Sequence, residues 1–174
     1  MEKKTAVLFD LDSTLRNSRH RHGMVPRKNI VGQEVDRTID WHAYSAAGIN
    51  DTPMLGPITA LRLLSPYHQI HIISGSNASA MEQTMSWLST HVGPYIDRVH
   101  LRPDGDYTPN GLYKVKYARS VEEHGIAVVL VWEDWPPAVA ELEEAGYPVV
   151  CVNPRYPCQV CGTDPLETPA GAAF

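Results

Sequence analysis

Ala6-Val7-Leu8-Phe9-Asp10-Leu11-Asp12-Ser13-Thr14-Leu15 is an apolar, strand-like run that ends in two carboxylates one residue apart, followed by hydroxyls. A strand repeats every two residues, so Asp10 and Asp12 start on the same side of the backbone, at the mouth of whatever sheet the run enters. Two like charges that close repel each other and desolvate badly unless a cation sits between them or one keeps its proton. The same letters also read as a strand running into an Asx-rich turn, since Asp and Ser are ordinary turn residues.

Four short β-branched runs bounded by turn or polar residues predict buried parallel strands at 5–10, 69–74, 127–132 and 148–152, with a weaker one at 97–101. Segments of helical spacing lie between them. Met81, Met85, Leu88 and Val92 form one stripe of a helix that Ser76 or Asn77 could cap. Pro136 and Pro137 suit a helix start, Val139 and Leu142 its inner face, and Gly146 its stop. In 113–124, Tyr117, Ala118 and Val121 form an apolar face ended by Gly125. Another helix is expected near Pro57, with Leu61 and Leu64 inward, and one more from Asp40. Strands alternating with helices predict an α/β fold with a central parallel sheet.

The chain has 174 residues, enough for one domain with a substantial core. Its composition, 43% hydrophobic and 20% charged, is that of an ordinary globular protein. A net charge of -5 argues against broad adhesion to nucleic acid or anionic membrane, without excluding a local basic groove. No apolar run approaches the ~20 residues that span a bilayer, and the start leads into a strand rather than a signal peptide. A cytoplasmic setting with reduced thiols is therefore expected, the three cysteines being an odd number.

Ligands of open parallel sheets bind beyond the carboxyl ends of the strands. Those ends carry Asp10 and Asp12, then Ser74-Gly75-Ser76-Asn77, then Glu133-Asp134. Lys114 opens the helix before the third of these strands, in line with Tyr117 and Val121. A lysine on a buried stripe either snorkels out or answers a negative charge. Residues 16–56 form a long connection whose basic run, Arg16, Arg19, His20, Arg21, His22, Arg27 and Lys28, is either solvated surface or the border of a site for a phosphorylated substrate.

The order Asp10-Leu11-Asp12-Ser13-Thr14, Ser74, Lys114, Glu133-Asp134 resembles the motif series of the haloacid dehalogenase-like phosphatases. With Asp40-Trp41, Ser86-Trp87-Leu88 and Leu101-Arg102-Pro103-Asp104-Gly105-Asp106, it is similar to the phosphatase module of polynucleotide kinase-phosphatases and its stand-alone relatives, over about residues 5–152. The resemblance implies a Rossmann-like three-layer sandwich with a small insert after the first strand. It also implies Mg²⁺-dependent phosphomonoesterase activity on a nucleotide or the 3′-phosphate end of a nucleic acid. On a phosphate monoester Asp10 would be nucleophile and Asp12 the acid and base. Ser74, Gly75 and Lys114 would bind phosphate, and Asp10, Asp12 and Asp134 form the metal set for a hard cation. Thr14 and Arg102 are supporting candidates, and Glu133 either orients Lys114 or reaches the metal through water.

Ser76 stands where many members of that group have arginine, Asn110 where many have aspartate, and Glu133 where the final pair is usually Asp-Asp. Arg16, Arg19 or Arg102 could take over the missing phosphate grip. A non-catalytic phosphate- or partner-binding protein that kept the fold is the alternative these departures support. Cys158 and Cys161 have the spacing of half a zinc site, whose other ligands would be His20 and His22 or a second subunit's. Residues 1–157 are read as the phosphatase domain and 158–174 as the Cys-x-x-Cys segment with a loose tail. Cys151 is expected in the core, and His71 as a hydrogen-bonded strand residue.

Overall fold

A computed structural model describes residues 4–25 and 37–152. The first strand, β1 (Thr5–Phe9), leads into the short strand β2 (Arg16–Asn17) and a 3-10 turn at Arg19–Met24. Helix α1 (Arg37–Ala46), a 3-10 turn at Ala47–Asn50 and β3 (Thr52–Pro53) follow. Then come α2 (Leu55–Leu64), β4 (Gln69–Asn77), α3 (Met81–His91), β5 (Arg98–Arg102), α4 (Asn110–Glu123), β6 (Ala127–Glu133), α5 (Pro136–Glu144) and β7 (Val149–Cys151).

Five strands make one parallel sheet in the order β5-β4-β1-β6-β7, so β1 lies at its centre. β2 and β3 pair antiparallel in a small ribbon within the 16–56 connection. The two-residue alternation of β1 sorts the core. Ala6 and Leu8 join Tyr113, Val115, Ala118, Val121 and Leu142 of α4 and α5 on one face. Val7 and Phe9 join Ile58, Leu61, Trp87 and Leu88 of α2 and α3 on the other. This is the expected three-layer α/β sandwich.

Four expectations need correction. β4 does not stop at Ser74 but continues through Asn77, with its pairing to β5 broken between Ser74 and Asn77, so Gly75-Ser76 lies in a bulge rather than a loop. A 3-10 turn at Ala78–Ala80 then precedes α3, and neither Ser76 nor Asn77 caps the helix. The inward face of α3 is Thr84, Trp87 and Leu88. Met85 is exposed, whereas Leu88 and Val92 of the same stripe are buried. Cys151 is half-buried. His71 is buried, with Nε2 on Gln69 and Nδ1 on the Tyr117 hydroxyl. No helix among the described residues is long and apolar enough to cross a membrane.

Candidate active site

Asp10 follows β1 in the same alternation as Ala6 and Leu8, and its N–H still bonds to the Trp132 carbonyl at 2.9 Å. Its side chain is therefore turned toward α4. On that helix Lys114, Ala118 and Val121 form the buried stripe at i, i+4 and i+7. Glu133 ends β6 on the face of Val131, opposite Trp132, which stacks on Phe9. Three elements thus aim an ammonium and two carboxylates at one point. Lys114 Nζ donates to Asp10 Oδ1 at 2.6 Å and to Glu133 Oε2. Lys114 is 1% exposed, so it answers charge and does not snorkel.

Burial raises Asp10 well above the ordinary carboxyl range. Lys114 opposes this, and Glu133 and Asp134 reinforce it. Burial, with Glu133 beside it, pushes Asp134 up to about 7. For Lys114 burial works against the charge, but Asp10 and Glu133 outweigh it and raise its pKa. Carboxylate oxygens of Asp10, Glu133 and Asp134 lie within 4.8 Å of one another. Crowded hard oxygens, with raised proton affinity at Asp10 and Asp134, fit a small divalent cation. Glu133 is already committed, Oε2 to Lys114 and Oε1 to the N–H groups of Asp134 at 3.1 Å and Trp135 at 2.9 Å. That leaves Asp10 and Asp134 as the carboxylates that fit direct ligation, with Glu133 orienting Lys114.

Asp12 stands apart from that group, although the sequence placed it in the metal set. Its Oδ1 accepts Arg16 Nε and Arg21 Nη2, each at 2.6 Å, and its Oδ2 accepts the Ser76 hydroxyl at 2.9 Å. Burial alone would raise Asp12, but the Arg16 and Arg21 guanidiniums outweigh it and hold the carboxyl below its usual range. Ser13, with φ of 66°, turns the chain so that Arg16 folds back to Asp12. The basic run is therefore split. Arg16 and Arg21 are buried, while Arg19, His20 and His22 are exposed. A cluster of arginines reads as surface until its carboxylate partners are known, and one of them, Asp51, lies far along the chain.

Ser74 and Gly75 line the mouth beside Asp10, within a cavity of about 1220 Å³. A Cβ on Gly75 would lie 2.8 Å from Asn110 Oδ1, so only glycine leaves that approach open. Arg102 does not offer a free phosphate grip. Its guanidinium donates to the carbonyls of Asp106 and Thr108 and to Asn110 Oδ1, and lies 4.5 Å from the Tyr113 ring centre. Arg16 is withdrawn as well, which leaves Arg19, an exposed residue of the cavity wall, among the three arginines considered. Thr14 is fully buried and its hydroxyl has no hydrogen-bond partner among the described residues. Trp41, Tyr107 and Trp135 also line the cavity, and the sequence reading assigned none of them a role.

His20 Nε2 meets Asp51 at 2.7 Å and His22 Nε2 meets the Ser18 hydroxyl at 3.1 Å. Arg27, Lys28, Cys158, Cys161 and the tail lie outside the described residues.

No family model matches the chain, and no curated protein matches it. Solved structures match in fold. One chain of a Pnkp1/Rnl/Hen1 complex matches over 87% of this chain and 47% of its own length, at 18% identity and a TM-score of 0.67. The present chain thus spans about half the length of that protein. A haloacid dehalogenase-like hydrolase from Streptococcus pneumoniae matches over 84% of this chain and 83% of its own, at 15% identity and a TM-score of 0.60. The HAD-hydrolase YfnB from Bacillus subtilis, solved bound to magnesium, matches over 91% and 90%, at 14% identity and a TM-score of 0.60. A likeness at these identities is one of architecture, and by it the chain has the fold of the haloacid dehalogenase-like hydrolases.

Proposed function

We propose that this chain is a Mg²⁺-dependent phosphomonoesterase that works through a phosphorylated Asp10, on a nucleotide or on the 3′-phosphate end of a nucleic acid. Lys114 carries the reading. A wholly buried ammonium between Asp10 and Glu133 is a costly arrangement for stability alone, and beside a nucleophile it neutralises an arriving phosphoryl group. Asp10 Oδ2, the oxygen not bonded to Lys114, forms the bond to phosphorus while the ester P–O bond breaks and its electron pair leaves with the substrate oxygen. Ser74 and the backbone at Gly75 hold phosphoryl oxygens. Water then attacks phosphorus, Asp10 departs, and Oδ2 of Asp12 takes the water's proton. Because two guanidiniums keep Asp12 ionised, it enters the cycle as the base for water and assists the leaving group weakly. Mg²⁺ held by Asp10 and Asp134 would neutralise charge on the phosphoryl oxygens.

Room and lining favour a substrate with a planar ring. The cavity is larger than a phosphate needs, and the exposed faces of Tyr107 and Trp135 suit base stacking. Arg19 and His22 on its wall suit neighbouring phosphates. The match to an RNA repair complex supports a nucleic acid end. Residues 1–157 act as the catalytic unit in this reading, with 16–56 as its insert.

Phosphate release from 4-nitrophenyl phosphate with Mg²⁺, abolished in Asp10→Asn, is the expected result. Equal turnover in Asp10→Asn, or none across a broad ester panel, refutes the enzyme and favours the binding protein. Comparison of 3′-phosphorylated oligonucleotides with free 5′ and 3′ mononucleotides then identifies the substrate. Hydrolysis of sugar phosphates alone overturns the nucleotide assignment.

A further inference from the structure

Asp51 belongs to none of the motifs above. It follows the turn at Ala47–Asn50, its side chain is fully buried, and its carboxylate gathers three cationic or imidazole groups. Arg21 donates through Nε at 3.0 Å and Nη2 at 2.6 Å, Arg16 Nε lies at 3.2 Å, and His20 Nε2 at 2.7 Å. The Asp51 carbonyl accepts Trp87 Nε1 at 2.7 Å, which ties the loop to α3. The two arginines that Asp51 holds are the two that hold Asp12 Oδ1. Two guanidiniums between two carboxylates balance charge, so Arg16, Arg21 and Asp51 leave water entirely while Asp12 keeps 20% of its side chain exposed.

The arrangement fixes direction as well as charge. The forked contact of Asp51 with Arg21 sets the plane of that guanidinium. Among the described residues Arg16 has no hydrogen-bond partner for Nη1 or Nη2, so its orientation comes from Nε and from packing on Gly48, where a Cβ would fall 2.6 Å from Cζ. With Oδ1 anchored by both arginines, Asp12 turns Oδ2 toward Ser76 and the cavity.

We propose that Asp51 is a positioning residue: by clamping Arg16 and Arg21 it aims Oδ2 of Asp12 at the water that releases phosphate from Asp10. This role presupposes the phosphatase reading and adds a residue that touches neither substrate nor reacting atoms. In that step the water oxygen bonds to phosphorus, the P–O bond to Asp10 breaks with its electron pair returning to the carboxylate, and the water's proton passes to Oδ2. A misaimed Asp12 slows this displacement and leaves the first one, with a good leaving group, almost untouched.

Steady-state and stopped-flow hydrolysis of 4-nitrophenyl phosphate with Mg²⁺ separates the two displacements. Asp51→Asn is expected to lose about tenfold or more in kcat while kcat/KM, set by the first displacement, stays within about twofold. A burst of nitrophenolate approaching one equivalent should appear as phospho-Asp10 accumulates. Asp12→Asn should show the same burst, and the double variant should be no slower than Asp12→Asn. Gly48→Ala keeps every charge, presses on Arg16, and should show the burst with a smaller loss of kcat. It serves if Asp51→Asn fails to fold. A parallel fall of kcat and kcat/KM with no burst in Asp51→Asn or Gly48→Ala, beside a burst in Asp12→Asn, overturns the role of Asp51 alone. Losses that multiply in the double variant overturn it too. Wild-type turnover in Asp12→Asn instead removes the phosphatase assignment of Asp12, and the role of Asp51 falls with it.

Discussion

Lys114→Met is the sharpest single perturbation of this site. Methionine keeps the length and most of the volume of lysine, so the cavity contribution is small and the loss is that of the charge. Nζ touches Asp10 Oδ1 at 2.6 Å and also Glu133, both buried. At an effective dielectric of 20 a unit pair 4 Å apart is worth about 4 kcal/mol, and removing one partner of a buried pair costs about 3–5 kcal/mol once relaxation is counted. The variant leaves Asp10 and Asp134, both already raised, with no ammonium beside them, so their proton affinities rise further. Groups whose folded pKa is raised stabilise the fold below the unfolded pKa and lose that contribution as pH climbs through the folded value. The destabilisation should therefore be near its full size at pH 8 and clearly smaller at pH 5. Urea melts of the metal-free protein at both pH values measure it, with the exposed Lys116→Met as a control expected within about 0.5 kcal/mol of wild type. A loss under about 1 kcal/mol at pH 8, or equal losses at both pH values, would refute the buried charge cluster.

Other perturbations test other parts of the molecule. With Asp134 pushed up to about 7, Mg²⁺ should raise the Tm of the wild type at pH 8 and barely move it at pH 5, and Asp134→Asn should flatten that difference; an Mg²⁺ effect independent of pH counts against the site. Burial, then Arg98, lowers His71 to about 4, so its neutral ring supports the fold above about pH 6.5 and loses that support as pH falls toward 4, by up to about 3 kcal/mol. His71→Phe should remove that acid-side loss in urea melts, and identical pH slopes would contradict it. Gly111→Ala would gain about 1 kcal/mol from helix propensity, but its Cβ would lie 2.8 Å from Ala138 Cα, so a net loss of about 1–3 kcal/mol is expected. A raised Tm would disprove the close packing of α4 on α5.

The parts that local pattern governs were legible. β1, β6 and β7 appear where β-branched runs stand, because branched side chains suit the pleated, packed surface of a sheet. Asp10, Lys114, Glu133 and Asp134 could be put at one rim because strand ends and the βα order of such a sheet leave little choice. Periodicity was half right at α3, where Leu88 and Val92 of the expected stripe are buried but Met85 is exposed and Thr84 and Trp87 turn inward. It was silent on Trp41, Tyr107 and Trp135, which become neighbours of the site only when helix α1 and two loops meet at one cavity.

By itself the sequence determined the layered α/β plan and the identity of the carboxylates and ammonium at the strand ends, since alternation and hydrophobic runs act over a few residues. Tertiary structure alone decided what becomes of the charges. Arg16 and Arg21 lie in a run that reads either as solvated surface or as the border of a site, and they are buried because Asp12 and Asp51, remote from each other in the chain, arrive on either side of them. Burial of an ion depends on what partner reaches it in space, and that distance is a property of the folded chain.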